Sequence, residues 1–489
     1  MTRTFNTRIV FRTMGALLLI EALFMALAMG VSMWYDEPDQ EVFLISTIIT
    51  FISGIIGLII GKKAETHVGQ REGYVIVALV WVVFSIFGMM PYYLSGQVHT
   101  ITDAWFETMS GFTTTGATII PDLTQITHGL LFWRALTQWI GGMGIIVLSI
   151  AILPIFGLNG MQLYAAEVSG LTYEKLSPRI ADTAKMLWTT YILLTLSETL
   201  ILWLCGMEVF DAICHSFATI ATGGFSTKNN SIEFYDSAAI HYTVTFFMFI
   251  SGINFVMLIH FARGKMRNIF KDEETRWYSY AVLLFTFLLF VGLYISRPGW
   301  SHVEAERAFR DSLFTVISAM TSTGYTISDY MYWPIVGWVV IFFLMFTGAC
   351  AGSTAGGIKW VRLSIIIKNG MLEFQRRIHP NAIIPVKLNG KPIPQQTTNN
   401  IMAFLIFYVF IIAVTVVIFC ACGVDFDEAI GSAVSAMGNV GISIGQFGPA
   451  GNYANFPTVG KWVMTFVMIV GRLEIFTILL LFTRVLWKK

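Results

Sequence analysis

The chain has 489 residues, of which 55% are hydrophobic and only 12% charged, whereas a soluble globular domain carries roughly a quarter charged residues. Apolar runs of about 20 residues, long enough to cross the hydrocarbon core as helices, recur along its whole length, so a soluble fold is excluded. The net charge of +1 leaves no concentrated basic face for nucleic acid.

In chain order, ten spans are predicted, at 13–34, 42–61, 73–95, 130–156, 184–206, 239–261, 278–296, 333–369 with an interruption, 400–422 and 459–486. The first follows a basic N-terminus and superficially looks like a signal peptide. Its apolar run reaches Met33 and ends in WYDEPDQ without a small-residue cleavage site, so it reads as a retained span. Lysine and arginine collect at every second boundary: Arg3, Arg8 and Arg12 before the first span, Lys62, Lys63 and Arg71 after the second, Lys175, Arg179 and Lys185 after the fourth. The pattern continues with Arg263, Lys265 and Arg267 after the sixth, Lys359, Arg362 and Lys368 after the eighth, and Arg484, Lys488 and Lys489 at the end. The bias places both termini in the cytoplasm. Cys205, Cys214, Cys350, Cys420 and Cys422 lack metal-ligand spacing and read as small hydrophobic residues.

After spans three, five, seven and nine comes a segment too short and too rich in Thr, Ser and Gly to span, yet too apolar for a solvated loop. Such backbone at membrane depth must lie inside protein or line a cavity. The four read DAWFETMSGFTTTG (103–116), DAICHSFATIATG (211–223), DSLFTVISAMTSTG (311–324) and EAIGSAVSAMGNVG (428–441). Each starts on an acid, Asp103, Asp211, Asp311 or Glu428, and ends on a glycine, Gly116, Gly223, Gly324 or Gly441. A carboxylate favours the positive end of a helix dipole, so these acids are expected at helix N-termini, with the negative ends aimed inward towards a cation. Beyond each helix, Thr114–Thr115, Ala221–Thr222, Ser322–Thr323 and Asn439–Val440 can offer backbone carbonyls, and the glycine lets the chain turn them to one side. Four copies around an axis make a ring that replaces an ion's hydration shell. One such segment would read as a capped turn; four in register read as a pore.

The eighth span is interrupted by GACAGSTAGG (348–357). Its small residues suit either close helix packing, through the spacing Gly348–Gly352 and Gly352–Gly356, or a broken helix whose middle obstructs the pathway until it moves. In the polar stretch 369–399, Asn389–Gly390 between extended residues suggests a cytoplasmic hairpin. Arg472 lies inside the last span, where a charge is costly and marks function. Glu474, two residues on, does not share its helix face, which leaves a partner in another repeat or the pathway itself. The intramembrane Glu198 and Asn254 are expected to be satisfied by neighbouring helices. GISIG (441–445) matches a nucleophile elbow at Ser443, but it falls in the fourth pore segment without the strand and helix that motif needs. No enzyme activity is expected. A secondary transporter for an organic solute would usually carry inverted repeats, whereas all four repeats in this chain start on the same side.

The motifs SGFTTTGAT (110–118), FATIATGGFS (217–226), SAMTSTGYT (318–326), SAMGNVGIS (435–443), QWIGGMGIIVL (138–148) and GACAGSTAGGIKW (348–360) resemble those of the Trk/Ktr/HKT superfamily of potassium transporters, most closely its bacterial TrkH/TrkG branch. The resemblance covers essentially the whole chain. It implies an all-α polytopic membrane protein with two additional N-terminal transmembrane helices (1–68) and four channel-like span/pore-loop/span repeats (69–182, 183–272, 273–396 and 397–489) around a central ion pathway. It implies potassium uptake across the bacterial inner membrane, with the potassium ion held at the four glycine-ended segments and no covalent cofactor. It implies an intramembrane gate at Gly348, Gly352, Ser353, Thr354, Gly356, Gly357 and Lys359, with Arg472 as an electrostatic barrier below the filter. The partners implied are a second copy in a homodimer, membrane lipid and a cytosolic TrkA-like ring, through which alone nucleotide would act. In related plant transporters a serine at the first filter position accompanies sodium selectivity, so Gly116 implies potassium; a sodium-permeable or sodium/proton-coupled cation transporter is the alternative.

Overall fold

The computed structural model describes residues 5–63, 69–144, 180–264, 266–296, 302–382 and 384–487. Two long helices open it, α1 (Thr7–Trp34) and α2 (Gln40–Ile60). Asn6 caps α1 by accepting the Ile9 N–H on its side chain. The pair meets across Gly15, Gly54 and Gly57, where a Cβ on any of the three would press on the opposite backbone. Small residues allow this close approach in lipid, where burial of apolar surface alone gives helices little to gain.

A similar order of elements then recurs four times: a long apolar helix, a further helix, an extended segment and another helix. The first unit contains α3 (Gln70–Gly88), α4 (Met90–Leu94), the re-entrant α5 (Ile101–Phe112) and α6 (His128–Gly142). In the second, α7 (Ile180–Leu204) leads to the re-entrant α8 (Val209–Ile220), then α9 (Ala238–Ser251) and α10 (Phe255–Ala262), with α11 (Met266–Lys271) as a connector. The third is built of α12 (Glu273–Ser296), α13 (His302–Met320), α14 (Ile335–Phe346) and α15 (Trp360–Ile378); the fourth of α16 (Gln395–Ala421), the re-entrant α17 (Phe426–Gly438), α18 (Thr458–Arg472), α19 (Ile475–Leu481) and α20 (Arg484–Trp487). Among the described residues α1, α2, α3 with α4, α7, α12 and α16 are long and apolar enough to cross a membrane, and the bent pairs α9–α10 and α18–α19 qualify as broken spans. The chain is a mostly helical, multi-pass membrane protein. The predicted fourth span begins as α6; its continuation over 145–156, with the end of the QWIGGMGIIVL motif, lies outside the described residues.

Two spans expected to be continuous are broken, α9 from α10 by 106° and α18 from α19 by 116°. At the first break Asn254 turns its side-chain oxygen to the Val256 N–H at 2.8 Å and caps a new helix, while the Gly252 carbonyl accepts the Cys350 N–H at 3.0 Å. At the second, Glu474 has φ 58°, which an α-helix cannot contain. A second expectation fails at one position. Asp103, Asp211 and Glu428 sit in the first turns of α5, α8 and α17, but Asp311 lies well inside α13, which starts at His302. The residues before it, EAERAFR, are good helix formers and carry the helix upstream.

On the polar side, β1 (Lys387–Leu388) pairs antiparallel with β2 (Lys391–Pro392). Asn389 (φ 49°) and Gly390 (φ 77°) form the turn between them, as that dipeptide favours. The hairpin is anchored: the Asn389 N–H donates to Glu273 Oε2 at 2.9 Å and the Glu273 N–H to Asn389 Oδ1 at 2.8 Å, at the start of α12.

Candidate functional site

The four helices α5, α8, α13 and α17 end in the same way. Thr114, Thr222, Ser322 and Asn439 all adopt left-handed backbone, with φ of 53°, 53°, 52° and 53°. Their N–H groups bond back to the carbonyls of Gly111, Thr219, Ala319 and Ala436, and the next N–H groups, of Thr115, Gly223, Thr323 and Val440, to Ser110, Ala218, Ser318 and Ser435. This paired pattern is the Schellman motif, in which glycine usually takes the left-handed place. Threonine there is unusual, and left-handed non-glycine residues cost on the order of 1–3 kcal/mol each and gather at functional sites. Because N–H and C=O point oppositely across a trans peptide, the carbonyls of Thr113 and Thr114, and of their counterparts, turn away from their own helix.

The extended segments that follow close into a ring. A Cβ added to Gly116 would press on the Gly223 carbonyl oxygen, one on Gly224 on the Thr323 oxygen, one on Gly324 on the Val440 oxygen, and one on Gly441 on the Thr115 oxygen. Each glycine thus packs against the backbone of the next segment, in the order first to second to third to fourth and back to first. All four have positive φ, at 81°, 78°, 78° and 90°. The ring corrects the register of the second segment. Gly224, and not Gly223, holds the place of Gly116, Gly324 and Gly441, so the triplet there is Thr222–Gly223–Gly224, and Ala221 is the residue that caps α8. The Gly223 carbonyl also accepts a hydrogen bond from Gln138 Nε2 at 2.6 Å. The signal was present in the sequence, because counting from the acid places Gly224 after Asp211 as Gly116 stands after Asp103.

Beneath the ring runs the interrupted span. Between α14 and α15 the chain folds back on itself, with Gly348 N–H donating to the Ile358 carbonyl at 2.8 Å and Ile358 N–H to Phe346 at 3.0 Å. Gly348 faces the Gly356 carbonyl so closely that no Cβ fits, Gly352 (φ 73°) lies against Asn254, and Gly357 has φ 65°. The Ser353 hydroxyl donates to Cys350 at 2.6 Å. The tip of the loop reaches the helix ends above it: Gly356 N–H donates to Ser322 Oγ at 2.6 Å, and Thr354 Oγ1 to the Ile220 carbonyl at 3.0 Å. Lys359 turns its ammonium onto the Ala355 and Gly356 carbonyls. Arg472 bridges two other pieces of chain, donating to Thr354 O at 2.7 Å in the loop and to Gly141 O at 2.7 Å and Gly142 O at 2.9 Å at the end of α6. Glu474 pairs with Arg362 instead, at 2.5 Å.

The family model of TrkH, a cation transport protein, matches residues 39–488. The chain belongs to the TrkH family. It is 38% identical to the Trk system potassium uptake protein TrkH of Escherichia coli K12 and 32% identical to TrkG of the same strain, over 99% of both chains in each case. The crystal structure of the potassium transporter TrkH from Vibrio parahaemolyticus matches with a TM-score of 0.89 at 33% sequence identity, covering 99% of this chain and 100% of that one. A TrkH-family chain is a membrane transport protein and not an enzyme. Ser443 of the GISIG match lies in the fourth segment, its N–H bonded to the Phe447 carbonyl at 2.9 Å.

Several contacts that brace the site of this TrkH-family chain are missed from sequence alone. Glu107 on α5 is fully buried and bonds Arg134 of α6 at 2.6 Å, with Thr118 Oγ1 at 3.0 Å and Ile119 N–H at 2.9 Å also donating to it. Arg134 continues to the Ser226 carbonyl at 2.8 Å and stacks over Phe225, 3.5 Å from its centroid. One ion pair therefore fixes the first segment against the second. Lys461 of α18 joins Asp103 at 2.6 Å, tying the fourth unit to the first re-entrant helix. Asn439 reaches Thr115 Oγ1 at 3.0 Å and Met468 O at 2.9 Å. A charge inside an apolar stretch is the available signal for Glu107 and Arg134; their pairing is not legible without the fold. Among the described residues no cluster of His, Cys, Asp and Glu is placed to hold a metal ion; the oxygens that meet the ring glycines are the backbone carbonyls of Gly223, Thr323, Val440 and Thr115.

Proposed function

We propose that this chain takes up potassium ions through the ring at the ends of the four short helices. The single observation that carries the reading is the closure of the ring, each glycine lying against the next segment's backbone. Carbonyls turned off the helix ends, at the negative poles of four dipoles, offer a dehydrated cation neutral oxygens in place of water. The ligand set is Thr114, Thr115 and Gly116; Thr222, Gly223 and Gly224; Ser322, Thr323 and Gly324; and Asn439, Val440 and Gly441. Glycine in all four places favours potassium over sodium, and the curated relatives are potassium uptake proteins.

The loop 348–357, with Lys359 and Arg472, acts as the gate. Its tip is bonded to two helix ends of the ring, and the guanidinium of Arg472 adds positive charge on the path of a cation. The protein resides in the bacterial inner membrane with both termini cytoplasmic, as a homodimer, and a cytosolic nucleotide-binding ring of the TrkA kind controls the loop; the name of the Trk system itself points to an assembly. The experiment is isotope flux into liposomes holding the purified chain, with an imposed voltage and competing alkali ions. Potassium uptake that sodium fails to block at equal concentration is the expected result. Equal flux of both ions would refute the selectivity, and no flux of either would refute the pore.

A further inference from the structure

Glu198, expected to be satisfied by neighbouring helices, finds no such partner among the described residues. It lies on α7, fully buried, and neither carboxyl oxygen has a hydrogen-bond partner among the described residues. The polar group facing it is the hydroxyl of Thr219, in the last turn of α8, which makes no hydrogen bond to it in this conformation. That hydroxyl has already given its one proton to the His215 carbonyl at 2.8 Å. Tyr325, the next polar neighbour, donates its proton to the Phe225 carbonyl at 3.1 Å. Both hydroxyls can therefore only accept.

An ionised carboxylate also only accepts, so it would face Thr219 oxygen to oxygen. The neutral acid carries the missing donor. Among the described residues the charged groups around it are committed elsewhere: Arg134 is paired with Glu107, and both ring nitrogens of His215 are engaged, by the Asp211 carbonyl and Ser226 Oγ. On the other packed helices, His241 of α9 turns to Phe314 and His260 stands in the last turn of α10. Burial of an unpaired carboxylate is disfavoured strongly enough that such a group takes up a proton instead.

We propose that Glu198 is an intramembrane proton-binding site, its carboxyl held as the neutral acid and donating to Thr219 Oγ1. The bound proton joins α7 to the last turn of α8, immediately before Thr222, Gly223 and Gly224. It also removes a negative charge that would hold a cation beside the pathway and off its axis, a consequence that rests on the proposed pore. The test is infrared spectroscopy of the purified full-length protein at neutral pH, which reads protonation without reference to transport. The parent should show a carboxylic-acid carbonyl band that Glu198→Gln removes, while the contribution of Glu21, the other buried carboxyl without a partner among the described residues, persists in both. Loss of a carboxylate band instead, with the acid band unchanged, would overturn the proposal. Thr219→Val keeps the acid and removes its acceptor, so the band should move to higher frequency even if the glutamine variant does not fold; an unmoved band would overturn the link to α8.

Discussion

The backbone N–H of Gly356 donates to Ser322 Oγ over 2.6 Å, so the intramembrane loop is bonded to the residue whose left-handed backbone ends the third re-entrant helix. Loop and ring are one hydrogen-bonded unit in this state. Ser322→Ala removes the acceptor. A neutral hydrogen bond contributes about 0.5–1.5 kcal/mol, which corresponds to a roughly two- to tenfold shift in the loop's equilibrium. Potassium uptake should rise by that factor with the sodium-to-potassium ratio unchanged, as measured by competitive isotope flux. A changed ratio with constant flux would show that the Ser322 hydroxyl, beside the backbone carbonyl assigned to the ring, acts in selection and not in gating.

Gly116→Ser should raise sodium permeation. At φ 81°, with its Cβ position against the Gly223 oxygen, the new side chain forces the first and second segments apart. Identical sodium-to-potassium permeability ratios in variant and parent would refute this.

The register of the second segment has its own test. Gly224→Ala meets the Thr323 carbonyl and a positive φ, whereas Gly223→Ala meets only the side chain of Gln138. The first variant should lose selectivity and the second keep most of it. The reverse order, read from the same flux ratios, would make Gly223 the ring glycine in place of Gly224.

Arg472→Gln should increase uptake, because it removes a positive charge and releases the carbonyls of Thr354, Gly141 and Gly142 from one guanidinium. Shortening 348–357 by two or three of its small residues should likewise alter flux and spare selectivity. Unchanged flux with altered selectivity in both would move the gate elsewhere.

Arg134→Met should lower thermal stability, since removing one partner of a buried ion pair costs about 3–5 kcal/mol. The double variant Glu107→Met/Arg134→Met should recover part of the loss, because no charge then stays buried alone. A double variant as unstable as the sum of the singles, by thermal unfolding in detergent, would show that the pair is not coupled.

Much of this architecture is legible in the sequence. Hydropathy marks the spans, since lipid leaves few alternatives to an apolar helix, and the acid-to-glycine pattern marks the four short segments because each solves the same problem. The hairpin at Asn389–Gly390 is legible because its turn needs two positive φ values, which that dipeptide favours. The breaks at Asn254 and Glu474 are not, because an apolar run reads alike whether straight or bent, and the bends are fixed by a side-chain cap and by backbone that packs from other repeats. Asp311 misleads for a related reason: an acid favours a helix start but does not prevent earlier residues from extending the helix. The bond between Glu107 and Arg134 depends on a meeting of neighbouring elements that no local pattern announces.

A circle of four segments drawn from one chain need not have four equal quadrants, and this one does not. The left-handed places hold Thr114, Thr222, Ser322 and Asn439, the next hold Thr115, Gly223, Thr323 and Val440, and only the Gly223 oxygen is clasped by a glutamine amide. A mutation therefore alters one quarter of the opening, where a tetramer of identical subunits would suffer it four times over. Selection can accordingly adjust one side of the passage, the one that meets the loop at Ser322 for example, while the opposite side keeps its grip on the ion.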